Sequence, residues 1–506
     1  MSERPASAQE TARPLQPTRA LGIDVGSTNT KVVLLSIGRH GCTEVAHDAF
    51  PTPDDPGALI RGAAATIRRL LEAHAARPVA VGIASMAETG VPLDAAGSPV
   101  GSFVRWNRHG DPGRSPLVER LGREALYEAT GVPPLKKAPL LVFEALRESE
   151  PERWSRLAAW AGAGDLVTRM LTGRLITDHT LAGRTLAYRL PPAGEPLAEA
   201  FDAGLLAEVG LRPDHLPAVA VPGTPAGTVT AEAAGLTGLA AGTPVFVAGH
   251  DHAVGAWGAG VREPGRRVDS VGTSEALLRV AGVPLDRRAV LAAGMSLTRT
   301  VSGDFETVLA GSPAGGSMIA ALLRGELGGA SLDPDDVFGA IPATPRAMVL
   351  PYPLGRQCPA PDPGARLRFV DAEGGAVDPH TLEAGELGSA VLLGLSLQLR
   401  WMRDEQERIT GEHPVGALRM IGSAASGNAA WMRLRTDVLG EPLEPVTSAE
   451  PVAAAAALLA AVRAGAADAH AVLPTTRSAE PADAGLHEGV YAVFLAAATE
   501  RPLTPA

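Results

Sequence analysis

The chain has 506 residues, of which 45% are hydrophobic and 20% charged, and its net charge at pH 7 is −11. This length exceeds what one typical core needs, so at least two domains are expected, and the composition excludes a chain that is disordered throughout. The acidic charge argues against a nucleic-acid binder, because that affinity comes largely from Lys and Arg neutralising phosphates. The two cysteines, Cys42 and Cys358, form no disulfide framework or zinc spacing, which suits a reducing compartment.

Residues 1–19 are rich in Pro, Ala, Ser and Arg and lack the apolar segment of a signal peptide, so we expect a mobile N-terminal tail. The alanine-rich run 452–462 is 11 residues long, short of the about 20 needed to cross a bilayer. We therefore expect a cytoplasmic protein that binds no membrane.

The first half of the chain alternates strand and helix signals, which predicts an α/β protein. Apolar runs at 20–26 and 31–36 flank a Gly-Ser-Thr-Asn-Thr turn and predict a β-hairpin. Helical spacing over 60–74 predicts an amphipathic helix, and 78–84 predicts a buried strand. A second buried strand is predicted at 243–249, followed by a small-residue helix over 253–260.

The polar, turn-rich stretch 262–267 predicts a junction between two halves. In the second half, helices are predicted over 387–402, 429–439 and 453–463, with a strand-to-loop transition at 420–428. We therefore divide the chain into a tail at 1–19, domains at 20–264 and 265–485, and a C-terminal tail at 486–506.

Two Gly-hydroxyl turns follow apolar strands at corresponding points of the two halves. They are Gly26-Ser27-Thr28 and Gly272-Thr273-Ser274, 246 positions apart. Two halves that each offer one such turn would face each other across a cleft. Each turn suits a phosphate, since glycine allows close backbone approach and the hydroxyls can contact phosphate oxygens. An ordinary hairpin turn or strand end also explains each of them.

Asp24 and Lys31 complete a DxGxTxxK motif with the first turn, and Asp24 could help hold Mg²⁺, through water. Asp251 follows a strand and begins a helix, where a carboxylate can accept a proton from a substrate hydroxyl. Taken alone, a helix N-cap is the simpler explanation of Asp251. His250 and His252 flank it without a third ligand at a known spacing, which argues against a metal site formed by the two imidazoles.

These segments, in this order and spacing, resemble the FGGY carbohydrate kinase family from Leu21 to Gly465. The resemblance implies two actin-like (ribonuclease H-like) ATPase domains facing a central cleft. It also implies a sugar or polyol kinase, a phosphotransferase that moves the γ-phosphoryl group of ATP, with Mg²⁺, to a hydroxyl of a small sugar, ketose or polyol. The similar segments are LGIDVGSTNTKVVLL, GIASMAETGVPLDAAGSPV, DLVTRMLTG, ITDHTLAGRT, TGLAAGTPVFVAGHDHAVGAWGAG, VGTSEAL, VLPYPLGRQCPAPDP and IGSAASGNAAWMRLRTDVLGEPLEP.

The resemblance also implies roles for individual residues. The catalytic base would be Asp251, and the metal would lie near Asp24 and Asp251. Contacts to ATP are expected from Gly26, Ser27, Thr28, Lys31, Gly272, Thr273, Gly316, Ser423, Ala424 and Asn428. Contacts to the substrate are expected from Glu88, Trp106, Asp251 and His252.

The chain departs from the family pattern at two places. Arg108 stands where several members have an aspartate; it could meet a substrate carboxylate, although a solvated side chain is the simpler explanation. Ser423, Ala424 and Ala425 replace glycines of the adenosine loop, and their Cβ atoms would restrict close approach there.

Two other classes of function compete with the kinase. One is a catalytically silent sugar- or nucleotide-sensing protein on the same fold, against which the intact Asp24, Asp251 and Thr273 argue. The other is an actin-like or chaperone-type ATPase, which the substrate segment with Glu88 and Trp106 disfavours. A homodimer is expected by analogy alone.

Overall fold

The computed structural model describes residues 18–38, 41–107, 115–328, 331–338, 345–422, 428–478, 480–482 and 485–500. Within these ranges it has a mixed α/β architecture with one six-stranded sheet in each half of the chain and three smaller sheets. Each helix of this described part is too short or too polar to span a lipid bilayer.

Among the described residues, ten strands belong to the first half of the chain and nine to the second. Those of the first half are β1 Thr18–Val25, β2 Asn29–Gly38, β3 Gly41–Pro51, β4 Val81–Ser85, β5 Gly90–Leu93, β6 Ala159–Gly162, β7 Ile176–Asp178, β8 Ala218–Ala220, β9 Gly227–Thr228 and β10 Pro244–His250. Those of the second half are β11 Arg267–Val271, β12 Glu275–Ala281, β13 Ser296–Arg299, β14 Glu306–Ser312, β15 Ala347–Leu350, β16 Arg368–Asp371, β17 Ala376–Val377, β18 Leu418–Ile421 and β19 Leu443–Pro445.

The helices alternate with these strands, together with short 3₁₀ turns at Pro213–His215 and Pro379–Thr381. Those of the first half are α1 Pro56–His74, α2 Pro116–Leu121, α3 Arg123–Thr130, α4 Pro139–Ser149, α5 Pro151–Ser155, α6 Ala163–Thr172, α7 His179–Ala182, α8 Ala203–Ala207, α9 Ala231–Thr237 and α10 Asp251–Gly258. Those of the second half are α11 Arg287–Ala292, α12 Gly316–Leu323, α13 Pro334–Phe338, α14 Ala384–Thr410, α15 Ala429–Leu439, α16 Pro451–Arg463 and α17 Glu488–Thr499.

The two large sheets share a five-stranded topology, to which β9 adds at one edge of the first sheet and β13 at the opposite edge of the second. The first has the order β3-β2-β1-β4-β10-β9, in which β1 and β2 form an antiparallel hairpin and β4 and β10 run parallel to β1. The second has the order β13-β14-β12-β11-β18-β19, in which β11 and β12 form the hairpin and β18 and β19 continue in parallel. The predicted hairpin at 20–36 is present, and its counterpart in the second sheet carries the second predicted turn.

Helix α16 joins the two halves because it packs on the first sheet while belonging to the second half of the chain. Its alanines approach the strands closely at two glycines. A Cβ on Gly22 would lie 1.8 Å from the carbonyl oxygen of Ala453, and one on Gly82 would lie 2.0 Å from that of Ala456. The buried apolar cluster around the helix contains residues of β1, α10, β11 and α16, so one core serves both halves.

The structure differs from the prediction at both predicted tails. Thr18 and Arg19 already pair with β2, so the first strand starts inside the segment assigned to the N-terminal tail. The segment 486–506 contains helix α17, although we predicted a tail there. Tyr491 and Phe494 of this helix are buried in the core of the second half, so apolar burial holds it in place. The division at 264–265 stays a prediction.

Candidate active site

A cleft of about 950 Å³ lies between the two halves, at the ends of the strands that carry the two predicted turns. Most residues singled out from the sequence line this cleft. They are Asp24, Gly26, Ser27, Thr28, Lys31, Glu88, Trp106, Asp251, His252, Gly272, Thr273 and Gly316.

The first turn is fastened through its carbonyl groups. The hydroxyl of Thr52 donates to the carbonyl of Gly26 over 2.8 Å, and its backbone N–H donates to Thr28 O over 2.9 Å. The Arg105 guanidinium donates to Ser27 O over 2.8 Å. A Cβ on Gly26 would lie 2.8 Å from a backbone oxygen of the same turn, so the turn requires glycine here. The carbonyls are held by the protein, and the hydroxyls of Ser27 and Thr28 remain at the cleft.

The second turn rests on the start of helix α12. The N–H groups of Gly316 and Ser317 donate to the carbonyls of Gly272 and Thr273 over 2.9 and 3.0 Å. The Gly316 amide therefore holds the second turn in place. This contact supports a positioning role for Gly316, in addition to the predicted contact with phosphate.

The two turns meet across the cleft, as the repeat in the sequence predicts. The hydroxyl oxygens of Thr28 and Thr273 are 3.4 Å apart. A second link between the halves joins His252 Nδ1 to Ser270 Oγ over 3.0 Å. Hydroxyl-bearing turns from both domains thus converge on one place.

Asp24 is a buried carboxylate with one oxygen unused. Its Oδ2 lies 3.8 Å from Lys31 Nζ, and Lys31 also pairs with Glu450 over 3.0 Å. Its Oδ1 is buried and has no hydrogen-bond partner among the described residues. Burial raises the pKa of Asp24 to about 7, against the lowering effect of Lys31. An unpartnered carboxylate oxygen is a hard donor of the kind that Mg²⁺ and its bound waters take, so Asp24 fits a magnesium site.

Asp251 is the first residue of helix α10, and its side chain is 24% exposed. Its Oδ1 accepts from the backbone N–H of His252 over 2.7 Å and lies 3.1 Å from His250 Nε2. The residue at the N-cap position is His250, so the structure does not give Asp251 the helix-capping role that the sequence allowed. The contacts of Asp251 among the described residues use Oδ1, which leaves Oδ2 for a ligand.

His250 faces Asp251 as a neutral imidazole. Burial, together with the charges of His252, Arg184 and Lys137, moves the pKa of His250 well below its ordinary value. The neutral ring can therefore donate from Nε2 to the Asp251 carboxylate. Ligand atoms of His250, Asp251 and His252 lie within 4.8 Å of one another, so the two imidazoles and the carboxylate form one compact cluster at the start of α10.

The turn that carries Asp251 is held from behind by helix α7. Asp178 accepts from the hydroxyl of Thr180 over 2.9 Å, and that hydroxyl accepts from the N–H of His250 over 2.8 Å. Gly249 has φ = 133°, and a Cβ there would lie 2.5 Å from Thr180 Oγ1. The glycine before the histidine is therefore required by both conformation and space.

Glu88 lines the cleft, but both of its carboxylate oxygens already contact cations. Arg184 Nη2 donates to Oε1 over 2.7 Å, and Lys137 Nζ lies 3.5 Å from Oε2. Burial acts to raise the pKa of Glu88, but Lys137 and Arg184 outweigh it, and the net shift is downward. Its backbone has φ = 65°, a left-handed conformation that is costly for a residue with a side chain.

Trp106 also contacts this group of charges. Lys137 Nζ lies 5.4 Å from the centre of the indole ring, within the range of a cation–π contact. Sequence reasoning missed Lys137 and Arg184. A signal for them existed, because Lys136 and Lys137 are two of only three lysines in the chain, and Arg184 stands in the ITDHTLAGRT segment.

A buried ionic group supports the second turn and was also missed. Arg435 of α15 forms ion pairs with Asp269 and Glu275, which flank the Gly272-Thr273 turn, and all three side chains are fully buried. Burial raises the pKa of Glu275 to about 8, in spite of Arg435. Arg435 lies 166 positions from Asp269 and 160 from Glu275, so no local sequence pattern marks the group.

The predicted adenosine contacts are the least described part of the site. Ser423 and Ala424 lie outside the described residues, as does Arg108. Asn428 is described: its Oδ1 accepts from the N–H of Trp431 over 2.9 Å and caps helix α15. Its contact with the nucleotide stays a prediction.

Comparisons with known proteins agree with this architecture. Similarity to the N-terminal domain of the FGGY family of carbohydrate kinases covers residues 19–258, and similarity to its C-terminal domain covers residues 270–464. The xylulose kinase of Streptomyces rubiginosus is 34% identical over 261 residues, 51% of each chain. The L-fuculokinase of Haemophilus influenzae is 27% identical over 206 residues, 40% of this chain and 41% of the relative. The chain thus spans about half the length, or less, of these curated relatives.

Solved structures match along nearly their whole length. A ligand-bound xylulose kinase from Lactobacillus acidophilus superposes with a TM-score of 0.80 at 21% identity, covering 94% of this chain and 97% of that one. A gluconate kinase from the same species gives a TM-score of 0.80 at 20% identity, covering 96% and 99%. At this identity the similarity shows the fold, which confirms the predicted class of two actin-like ATPase domains. Because both domains of the family match in order on the two sheets that enclose the cleft, the chain belongs to the FGGY family of carbohydrate kinases.

Proposed function

We propose that this protein is an ATP-dependent carbohydrate kinase that transfers the γ-phosphoryl group to a hydroxyl of a small sugar, ketose or polyol. The observation that carries the proposal is the convergence of three groups on one cleft: the Asp251 carboxylate and the two hydroxyl-bearing turns, whose threonines are 3.4 Å apart.

Asp251 acts as the general base in this proposal. The N–H of His252 and the ring of His250 both bind Oδ1, so the carboxylate is oriented with Oδ2 towards the acceptor. As the acceptor oxygen attacks the γ-phosphorus, its proton passes to Oδ2, the bond from that phosphorus to the β,γ-bridging oxygen breaks, and ADP leaves. The neighbouring imidazole is neutral and adds no positive charge that would weaken the base.

The turns at Thr28 and Thr273 bind the phosphates of ATP, one from each domain. Asp24, through its unpartnered Oδ1, and Asp251 would hold Mg²⁺, which when bound neutralises charge on the phosphates. Because the phosphate contacts come from both halves, nucleotide binding favours a closed cleft that excludes water from the reacting groups.

Asp251→Asn tests the assignment of the base. The amide keeps the shape of the side chain and cannot accept the proton, so acceptor-dependent ADP release should fall by about 100-fold or more. The affinity for ATP measured without Mg²⁺ should change by less than about threefold, because the phosphate contacts lie on the two turns. Coupled measurement of ADP release with a panel of ketoses, polyols and sugar acids gives the first value, and calorimetry gives the second.

A matched control is Asp286→Asn, which alters an aspartate at the N-terminus of α11 outside the cleft lining. Its turnover should equal that of the unaltered protein. If Asp251→Asn retained full turnover, Asp251 would not be the base. If the unaltered protein bound ATP and a sugar but turned over neither, the proposed kinase would be wrong and a sensing protein would be the better explanation.

A further inference from the structure

The substrate end of the cleft carries an excess of positive charge. Glu88 is the carboxylate of a buried group that contains two cations, Lys137 and Arg184, so the three side chains together have a charge of +1. Two more cations, Arg123 and Lys136, also line the cleft, and both are exposed. This local charge contrasts with the net charge of −11 of the whole chain.

Arg184 lacks partners for much of its guanidinium. Its side chain is 6% exposed, and Nη2 donates to Glu88. Nε and Nη1 are buried and have no hydrogen-bond partner among the described residues. A buried charged donor without an acceptor is costly, which points to a ligand that supplies the acceptor.

Lys137 has the access that a ligand needs. Its side chain is 20% exposed, lines the cleft and lies against the Trp106 ring. Burial lowers the pKa of Lys137. The negative charge of Glu88 acts in the opposite direction, but the positive charge of Arg184 adds to the lowering, and the net shift is downward. An anion bound beside Lys137 and Arg184, in addition to Glu88, would therefore be stabilised. Lys137 and the proposed base Asp251 line the same cleft.

We propose that the acceptor of this kinase carries a carboxylate, as a sugar acid does, and that Lys137 and Arg184 bind this carboxylate while a hydroxyl of the same molecule lies at Asp251. This inference rests on the proposed function and specifies its substrate class. The two cations form charge-assisted hydrogen bonds to the carboxylate, and the Trp106 ring contacts the carbon chain.

The first test compares acceptors with and without a carboxylate. Sugar acids of four to six carbons should have kcat/KM values about 10- to 100-fold above those of the alditols and ketoses of the same length. The KM of an acid should rise with ionic strength, whereas that of a neutral acceptor should not, because salt screens charge pairs.

Lys137→Met tests the residue. The KM for the acid should rise about 10- to 100-fold with kcat nearly unchanged, and the preference for acids over neutral acceptors should disappear. Lys137→Arg keeps the charge and should keep the preference. Arg61→Met removes a 74% exposed cation of α1 outside the cleft lining and should change neither value.

The outcomes separate this inference from the proposed function. If neutral acceptors were turned over faster than every acid, the carboxylate site would be overturned and the proposed kinase would stand. If Lys137→Met lowered kcat equally for acids and for neutral acceptors, Lys137 would be assigned to the transferred phosphoryl group. The carboxylate site would then also be overturned. If acids raised the thermal midpoint through Lys137 while no acid and no neutral acceptor was phosphorylated by ATP, the carboxylate site would be supported and the kinase overturned. If no acid bound to the protein and none was phosphorylated, the inference would also be overturned.

Discussion

Asp24 and Asp251 are carboxylates of one cleft in unlike surroundings. Asp24 is buried with one oxygen unpartnered, and its pKa is raised to about 7, whereas Asp251 is partly exposed and held by two donors on one oxygen. The two side chains are separated by more than 200 positions in the chain, and the fold gives them different chemical properties. The buried one suits a cation, and the accessible one suits a substrate proton.

The raised pKa of Asp24 makes cation binding depend on pH. Below about pH 7 the carboxyl is protonated, so Mg²⁺ must displace a proton, and affinity should rise up to about tenfold per pH unit until it levels off above pH 7. Thermal unfolding with an ATP analogue, measured from pH 5.5 to 8.5, gives the apparent affinity for Mg²⁺. It is the Mg²⁺ concentration at which half of the thermal stabilisation is reached. Asp24→Asn isolates the carboxylate from titration of the nucleotide. Equal pH profiles for the two proteins would refute the role of Asp24.

At the scale of secondary-structure elements, helix α16 matters most because it fastens the second half of the chain to the first sheet. Its close approach depends on the absence of side chains at Gly22 of β1 and Gly82 of β4. Arg463, the last residue of the helix, donates to Val247 O of β10 over 3.0 Å. Strand β1, which carries Asp24, and strand β10, which ends just before Asp251, are therefore held by the same helix.

Gly22→Ala tests this packing. A Cβ would lie 1.8 Å from Ala453 O, a backbone atom, so the helix must shift, and the free energy of unfolding should fall by about 1–3 kcal/mol or more. Urea unfolding measures the change. Gly235→Ala in α9, where a Cβ meets nothing within 4 Å, is the matched control and should change stability by less than about 1 kcal/mol, in the stabilising direction. A similar effect of both substitutions would contradict the close-packing argument.

At the scale of the whole molecule, the two halves share contacts that a pair of independent domains would lack. One apolar cluster contains Ala84 and Ala253 of the first half with Val268 and Ala454 of the second. Lys31 pairs with Glu450, and His252 contacts Ser270. The cleft therefore lies between two sheets that one core connects.

A shared core predicts that the halves unfold together. Differential scanning calorimetry of the full chain should show a single cooperative transition, since loss of either half exposes apolar surface of the other. Mg²⁺ with ATP should raise its midpoint without splitting it, because the proposed contacts come from both halves. Two resolved transitions in the ligand-free protein would show that the shared cluster does not couple the halves.

Local pattern was enough for the elements that carry the site. The hairpin at 20–36, the strand at 243–249 and the helix 429–439 follow from apolar periodicity and turn residues, and the repeated Gly-hydroxyl turns correctly indicate a cleft between two halves. The C-terminal helix was missed because its order depends on Tyr491 and Phe494 reaching the core of the second half, which no local signal shows.

The sequence by itself determined the fold class, the family and the residues of the two turns, because these depend on short-range order along the chain. Tertiary structure alone decided the electrostatics of the cleft: Glu88 is neutralised by Lys137 and Arg184, Asp24 has a raised pKa, and Arg435 is paired with Asp269 and Glu275. Charge and burial act over a few ångströms between residues far apart in sequence, so only the folded chain brings these interactions into being.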